Sequence, residues 1–248
     1  MSGLGFAGII YLDSFWIEKY IIDWNEHDLS ENSKDKIKII QLSDLHLKEI
    51  KYFHKTIAER INSELPDLIV FTGDTISRRN SLNIFEELLN LIHPKILKIL
   101  ILGNKEYDAR VAIEVLKKAF APYNGYVLVN ENFSYIKNKR RINILGIDDY
   151  LHGRPDFNAA VSTIEDTSLE TVVLNHCPAY TDSINELNKT TKLNLKMVLS
   201  GHTHGGQVTF FGRKIYTPDG SGRYLKGWYT SGSTKMYVSK GIGTTVLP

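Results

Sequence analysis

The feature that most constrains this sequence is an arrangement it repeats five times: a short, mostly apolar, β-branched run that stops at a residue able to bind a metal ion. The runs are Ile37–Ile40, Leu68–Phe71, Ile96–Leu102, Thr171–Leu174 and Met197–Leu199. They end respectively in Asp44-Leu45-His46, Gly73-Asp74, Gly103-Asn104, Asn175-His176 and Gly201-His202-Thr203-His204. Every polar cluster thus stands at the C-terminal edge of a strand, where open α/β sheets bind their ligands.

Helical patterns over Ile50–Leu65 and Leu82–Ile92 separate the first three runs, and a third, Asp108–Phe120, follows the Asn104 loop. This strand–helix alternation predicts a mostly parallel sheet. Later the pattern changes to short strands parted by Gly, Asn and Asp turns: Tyr126–Val129, Ser134–Lys137, Ile142–Ile147, Gln207–Phe210, Arg213–Tyr216 and Met236–Ser239. These suggest a second, largely antiparallel sheet packed on the first.

The 248 residues suffice for one large α/β domain, placed here at 37–248. Residues 1–36 read as an N-terminal strand, Phe15 to Trp24, and a polar linker, Glu26 to Lys36. The apolar stretch Gly3 to Leu12 is too short for a bilayer span of ~20 residues and reads at most as the stub of a membrane anchor. A net charge of +2 gives no electrostatic case for nucleic acid or membrane. Cys177 is the single cysteine, which rules out an intrachain disulfide and suits a reducing, cytoplasmic setting.

The edge residues Asp44, His46, Asp74, Asn104, His176, His202 and His204 supply enough nitrogen and oxygen ligands for two adjacent metal ions. Imidazole with carboxylate suits Mn, Fe or Zn. Asp74 is the simplest bridge between the ions. Two ions ~3.5–4 Å apart polarise a phosphoryl group and activate water. Gly73, Gly103, Gly201, Gly205 and Gly206 permit tight turns beside such a site. Each motif alone has a plainer reading as a turn or a half-buried histidine. Their ordered conjunction, with Gly-His-Thr-His-Gly-Gly at its centre, favours the metal site.

These blocks resemble the calcineurin-like metallophosphoesterase superfamily, whose pattern is D-x-H, G-D, G-N-H-[DE], an isolated H and G-H-x-H. The similarity runs from about Ile37 to Gly243. The Gly-His-Thr-His-Gly-Gly-Gln stretch with Tyr-Val-Ser-Lys-Gly-Ile-Gly resembles a bacterial subgroup that includes pyrophosphatases of UDP-2,3-diacylglucosamine, a lipid A precursor. That subgroup continues for another strand-like stretch beyond the Gly-Ile-Gly-Thr-Thr-Val-Leu-Pro that ends here.

The resemblance implies a four-layer α/β/β/α sandwich of two mixed sheets flanked by helices. It implies Asp44, His46, Asp74 and His204 on one metal and Asp74, Asn104, His176 and His202 on the other. Asn104, Lys105 and His176 are then expected to act on the phosphate. Lys105 stands where the family places a histidine that contacts the phosphate. A lysine at that point is expected to clamp phosphate by charge rather than deliver a proton.

The resemblance further implies two divalent ions, manganese first with iron or zinc open, and a phosphate-ester or nucleotide-linked lipid substrate. A cytoplasmic protein in peripheral contact with the inner membrane, and no nucleic-acid partner, complete that expectation. A nuclease or cyclic-nucleotide phosphodiesterase, and a non-catalytic metal-binding scaffold, stand as alternatives. Asp148-Asp149 reads as a β-turn ahead of a substrate contact, Lys137 to Arg141 as a solvated hairpin turn ahead of a surface, with Arg78, Arg79 and Arg110, for anionic lipid head groups, and Trp228 with Tyr229 as core ahead of an apolar lip for acyl chains. His27, His54, His93 and His152 read as structural or surface residues.

Overall fold

The structure, a computed structural model, describes residues 24–29, 35–205, 209–210, 213–214 and 217–243. Strand β1 (Ile39–Leu42) leads through helix α1 (Tyr52–Glu64) to β2 (Leu68–Thr72), through α2 (Ser81–Leu91) to β3 (Leu97–Ile101), and through the short α3 (Asn104–Asp108) and α4 (Ile113–Phe120) to β4 (Gly125–Leu128). These four strands form one sheet in the order β1-β2-β3-β4, parallel throughout. β2 and β3 are buried at every position, because both faces of the sheet are covered.

The side-chain alternation of a strand divides that burial between two cores. Ile69, Phe71 and Leu100 pack with Phe85 and Leu88 of α2 and Leu116 and Phe120 of α4. Leu68, Val70, Ile99 and Ile101 point the other way, onto Ile142, Ile144, Val172 and Leu174 of the second sheet. The far face of that second sheet, through Leu145, Val173 and Val198, packs on Phe157 and Ile184. Three stacked cores therefore separate four layers in the order α/β/β/α. Each fully buried Leu, Ile, Val or Phe contributes ~1.5–3 kcal/mol, so the layers hold by apolar burial.

The second sheet is built from β5 (Glu131–Lys137), β6 (Arg140–Gly146), β7 (Thr171–Leu174), β8 (Leu195–Ser200), β11 (Gly227–Ser231) and β12 (Thr234–Val238). Its order is β11-β12-β8-β7-β6-β5, and the four central strands are parallel. Only the edge pairs β5–β6 and β11–β12 are antiparallel. This corrects the expectation of a largely antiparallel second sheet. The reason lies in two crossovers, α5 (Phe157–Ser162) between β6 and β7 and α6 (Thr181–Thr191) between β7 and β8. Of the second helix only Thr181 and Ile184 are fully buried, with Leu187 partly so, and that narrow apolar face sits in an otherwise polar sequence.

Three smaller expectations change with it. The Tyr126–Val129 run falls in β4 and belongs to the first sheet, which is parallel rather than mixed. Asp108–Phe120 is two helices, because Arg110 turns to a left-handed φ of 53° and the chain restarts at Ile113. The strands β9 (Thr209–Phe210) and β10 (Arg213–Lys214) form a separate two-stranded ribbon. Gly3 to Leu12, and Phe15 to Trp24 apart from its last residue, lie outside the described residues. Among the described residues no helix is long and apolar enough to cross a membrane.

The Lys137–Arg141 stretch is the β5–β6 hairpin turn. Three of its four cations are paired, Lys137 with Asp67 at 2.8 Å, Arg140 with Glu170 and Arg141 with Glu165 at 2.7 Å. Trp228 rests on Tyr237 and His27 but stays exposed on the edge strand β11, which corrects its reading as core.

Lys98, at the opposite strand end from the polar clusters, is fully buried. Its ammonium donates to the carbonyls of His93, Ile96 and Tyr123 at 3.2, 2.8 and 3.0 Å. Lys98→Met is expected to leave those acceptors unsatisfied and lower unfolding free energy by about 2–4 kcal/mol. Urea unfolding measures this, and unchanged stability would contradict the assigned hydrogen bonds.

Candidate metal centre

The two stacked sheets end on one side at the C-terminal ends of β1, β2, β3, β7 and β8, and there the loops bring the expected ligands together. From the first sheet come Asp44 and His46 after β1, Asp74 after β2 and Asn104 after β3. From the second come His176 after β7 and His202 and His204 after β8. His46 Nε2 lies 3.6 Å from Asp74 Oδ2, 4.0 Å from Asp44 Oδ1 and 3.1 Å from His204 Nε2. His204 Nε2 is 3.6 Å from Asp44 Oδ1, and His176 Nε2 is 3.4 Å from Asp74 Oδ1. The His176 and His202 rings stand edge to face at 5.0 Å. Asn104 joins this group through its neighbour, since the Lys105 amide donates to Asp74 Oδ1 at 2.8 Å.

The backbone shows what this convergence costs. Five of these seven residues sit in the left-handed region, Asp44 (φ 53°), His46 (44°), Asp74 (53°), His202 (72°) and His204 (48°). Each such non-glycine residue costs of order 1–3 kcal/mol and persists only where surrounding structure demands it. The surroundings are tight. A Cβ on Gly73, itself at φ +90°, would stand 2.5 Å from His176 Nδ1, and one on Gly201 would stand 1.9 Å from Ser43 Oγ. The Asp44 turn is also clamped by the chain's far end, where the amides of Ile242 and Gly243 donate to Ser43 and Asp44 carbonyls at 3.0 and 2.7 Å.

The imidazoles are oriented from behind. His176 Nδ1 faces the Thr72 carbonyl at 2.7 Å, and His202 Nε2 faces the Asp219 carbonyl at 2.5 Å. His46 Nδ1 meets Ser77 Oγ at 3.3 Å. A ring nitrogen tied to a carbonyl fixes the tautomer and turns the other nitrogen inward, as metal-binding histidines require.

Burial works against charge on the His46, His176 and His202 rings, with different outcomes. Desolvation drives His46 down to about 4, despite Asp74 and Asp44 beside it. Desolvation opposes a charged His176 as well, but Asp74 overrides it and holds that ring up to about 10. Burial raises Asp74, while His176 and His46 more than offset it and hold the carboxyl well below the usual range.

The sequence reading missed Glu106. Its carboxylate accepts from the amides of Asp74, Thr75, Ile76 and Gly103 at 2.9, 2.7, 3.1 and 2.8 Å. It therefore binds the β2 and β3 loops to each other directly beneath Asp74. Burial and the Asp74 charge push its pKa up to about 7, against the pull of those four donors. Cys177 also went unassigned. Its sulfur lies within ligand range of His176 and His202, yet burial and Asp149 push the thiol far up, so it stays protonated and donates to Asp149 Oδ1 at 3.4 Å. Asp148 and Asp149 are not a plain turn but buried carboxylates. Lys105 points its ammonium at Asp108, 2.7 Å away.

The residues fit a pair of cations on an observation of their own. Asn104 Oδ1, His176 Nε2 and His204 Nδ1 are buried polar atoms without a hydrogen-bond partner. Buried polar atoms are rarely left so, and a cation at the cluster would satisfy these three. Asp44, His46 and His204 form one cluster of ligand range, and Asp44, Asp74 and His176 another.

The model of the calcineurin-like phosphoesterase family matches residues 37–206. The chain belongs to that family. It is similar to the metallophosphoesterase YkuE of Bacillus subtilis, with 32% identity over 98% of this chain and 86% of that one. It is similar also to the UDP-2,3-diacylglucosamine pyrophosphatase LpxG of Chlamydia trachomatis, 26% identical over 70% of this chain and 65% of that one. Among solved structures, a dimetal phosphatase from Danio rerio matches with a TM-score of 0.50 and 10% identity over 83% of this chain and 88% of that one, a likeness of fold. The chain is therefore a metal-dependent phosphoesterase, a hydrolase, and the family implies a dinuclear divalent centre for which the candidate ligands are in place.

A ligand that binds only the folded chain stabilises it by ~2.7 kcal/mol at a hundred times its dissociation constant. Adding Mn²⁺ to the metal-free protein is expected to raise its melting temperature by several degrees, and Asp74→Ala to lose most of that rise. An equal rise in both proteins would place the ion elsewhere.

Proposed function

We propose that this phosphoesterase cleaves the pyrophosphate bond of a nucleotide-linked glycolipid, UDP-2,3-diacylglucosamine or a close relative, with two manganese ions. The observation that carries the two-ion reading is the Asp74 carboxylate. One oxygen turns to His46 of the first sheet and the other to His176 of the second. In this reading Asp44, His46, Asp74 and His204 hold one ion and Asp74, Asn104, His176 and His202 the other. The mixed imidazole and carboxylate donors suit manganese, iron or zinc, and manganese is the form we propose. The substrate class rests on the likeness to LpxG and on the Gly-His-Thr-His-Gly-Gly-Gln stretch.

When bound, the ions supply charge neutralisation at the phosphoryl oxygens and activation of water. The chain's own residues do the rest. Thr72 and Asp219 carbonyls hold the His176 and His202 rings in register. Glu106 fixes the Asp74 turn so that its carboxylate keeps its place as charge moves. Phosphoryl transfer asks for little beyond such positioning and charge stabilisation. Lys105, at the exposed side of the cluster, adds positive charge near the phosphate. A cytoplasmic protein resting on the inner membrane would meet this substrate at its headgroup.

The decisive assay is UMP release from UDP-2,3-diacylglucosamine with added Mn²⁺. Native protein is expected to release UMP. Asp74→Ala is expected to lose more than the ~10–100-fold typical of an outer-shell partner. No release by native protein that still hydrolyses simple phosphodiesters would overturn the glycolipid and keep the metal chemistry.

A further inference from the structure

We propose that Lys48, Arg78 and Arg79 form a binding site for the second phosphate of a diphosphate substrate, the one that does not sit at the metal cluster. This deepens the reading above and rests on it. The three cations stand on the two loops, 44–51 and 74–80, that carry Asp44, His46 and Asp74.

The loops run side by side. The amides of His46 and Leu47 donate to the Asp74 and Thr75 carbonyls at 3.0 and 3.1 Å, and Leu47 bridges Ile76 in parallel register. Lys48 therefore follows alongside Ser77, the residue before Arg78, and Ser77 Oγ itself lies 3.3 Å from His46 Nδ1. Lys48, Arg78 and Arg79 are exposed. Among the described residues their side chains make no hydrogen bond or ion pair.

The acids that could neutralise them are engaged elsewhere. The two loops hold three, of which Asp44 and Asp74 belong to the metal cluster. The third, Glu49, pairs with Lys51 at 3.3 Å. Helix α2, which Arg78 and Arg79 precede, has no acid in its first turn. Other arginines are matched: Arg60 with Glu64 at 3.5 Å, Arg140 with Glu170, Arg141 with Glu165 at 2.7 Å and Arg223 with Asp182 at 3.3 Å. The described arginines without such a partner, Arg78, Arg79, Arg110 and Arg154, stand in loops beyond the C-terminal ends of β2, β3 and β6.

A solvated loop also shows unpaired cations, because an exposed ion pair is worth little. Here, however, the backbone is bonded on both sides of the arginine pair. Glu106 accepts from the Thr75 and Ile76 amides at 2.7 and 3.1 Å, and the Arg78 and Arg79 carbonyls accept from the Ser81 and Leu82 amides at 2.9 and 3.4 Å. Only the guanidiniums are left without a contact. In a diphosphate bound by one phosphate at the cluster, the other hangs on a single bridging oxygen and must lie beside it. Guanidinium suits that neighbour, since its planar fork grips phosphate with two hydrogen bonds. The Lys137–Arg141 turn lies at the opposite strand ends, so it forms no common surface with Arg78, Arg79 and Arg110.

The test compares Mn²⁺-loaded native protein with the double variants Arg78→Ala/Arg79→Ala and Arg78→Lys/Arg79→Lys. Calorimetry measures binding of α,β-methylene-UDP, which keeps two phosphates and resists cleavage, and of UMP, which has one. Native protein is expected to bind the first at least about 10-fold more tightly, the scale of one hydrogen bond between charged groups. The alanine variant should lose that preference while its UMP binding stays within about threefold of native, and the lysine variant, which keeps charge without the fork, should retain part of it. Turnover of UDP-2,3-diacylglucosamine should fall by at least about 10-fold in the alanine variant, and that of bis(p-nitrophenyl) phosphate should stay within about threefold. Equal binding of the two nucleotides by native protein overturns the subsite, as do equal losses on both in the alanine variant. Lost glycolipid turnover with unmoved methylene-UDP binding would give the arginines to a lipid surface and overturn it too. Inactivity of native protein on both substrates overturns the phosphohydrolase reading, and calorimetry still decides the subsite. Both variants should melt with native protein; a lowered melting temperature with losses on every ligand would mark a structural role and overturn the subsite.

Discussion

The rest of the site depends on a buried carboxylate held between two sheets. Asp74 is almost fully buried, with an imidazole from each sheet within 3.6 Å of its oxygens. Such a group is stable only where the opposite charge is close and its own backbone cannot move. The immobility comes from Glu106 below and from the glycine at 73, whose absent side chain lets His176 approach. The opposite charge at hand is that of the His176 and His46 imidazoles, and the family's dinuclear centre would add two cations. Because the β2 turn and the β7 end must both be placed for this to work, the sheet-to-sheet core and the active site are one construction. Leu68, Val70, Val172 and Leu174, which seal the two sheets, set the distance between Asp74 and His176.

Much of this was legible in the sequence because strands buried on both faces announce themselves. Leu68–Phe71 and Ile96–Leu102 are nearly all apolar, and the polar residue that ends each run had to stand at the strand edge. The crossover helix Thr181–Thr191 was not legible, since its apolar face is only Ile184 and Leu187 in an otherwise polar sequence. Missing it hid the parallel centre of the second sheet, which needs a crossover between each pair of strands.

Glu106 was hidden for a different reason. In the sequence it is one acid in Gly103-Asn104-Lys105-Glu106, and nothing there says that four amides from two loops converge on it. Residues that bind by their own chemistry can be read from type and spacing. Residues that act by holding others emerge only from the assembled loops. The left-handed backbone at five candidate ligands belongs with the second kind, a strain that the surrounding contacts sustain.

The central claim is that Asp74 bridges two ions held between the sheets. Anomalous diffraction from crystals of the Mn²⁺-loaded protein tests it most directly. The account predicts two manganese peaks ~3.5–4 Å apart, with one Asp74 oxygen toward each. A single peak, or a pair that Asp74 does not touch, would contradict it.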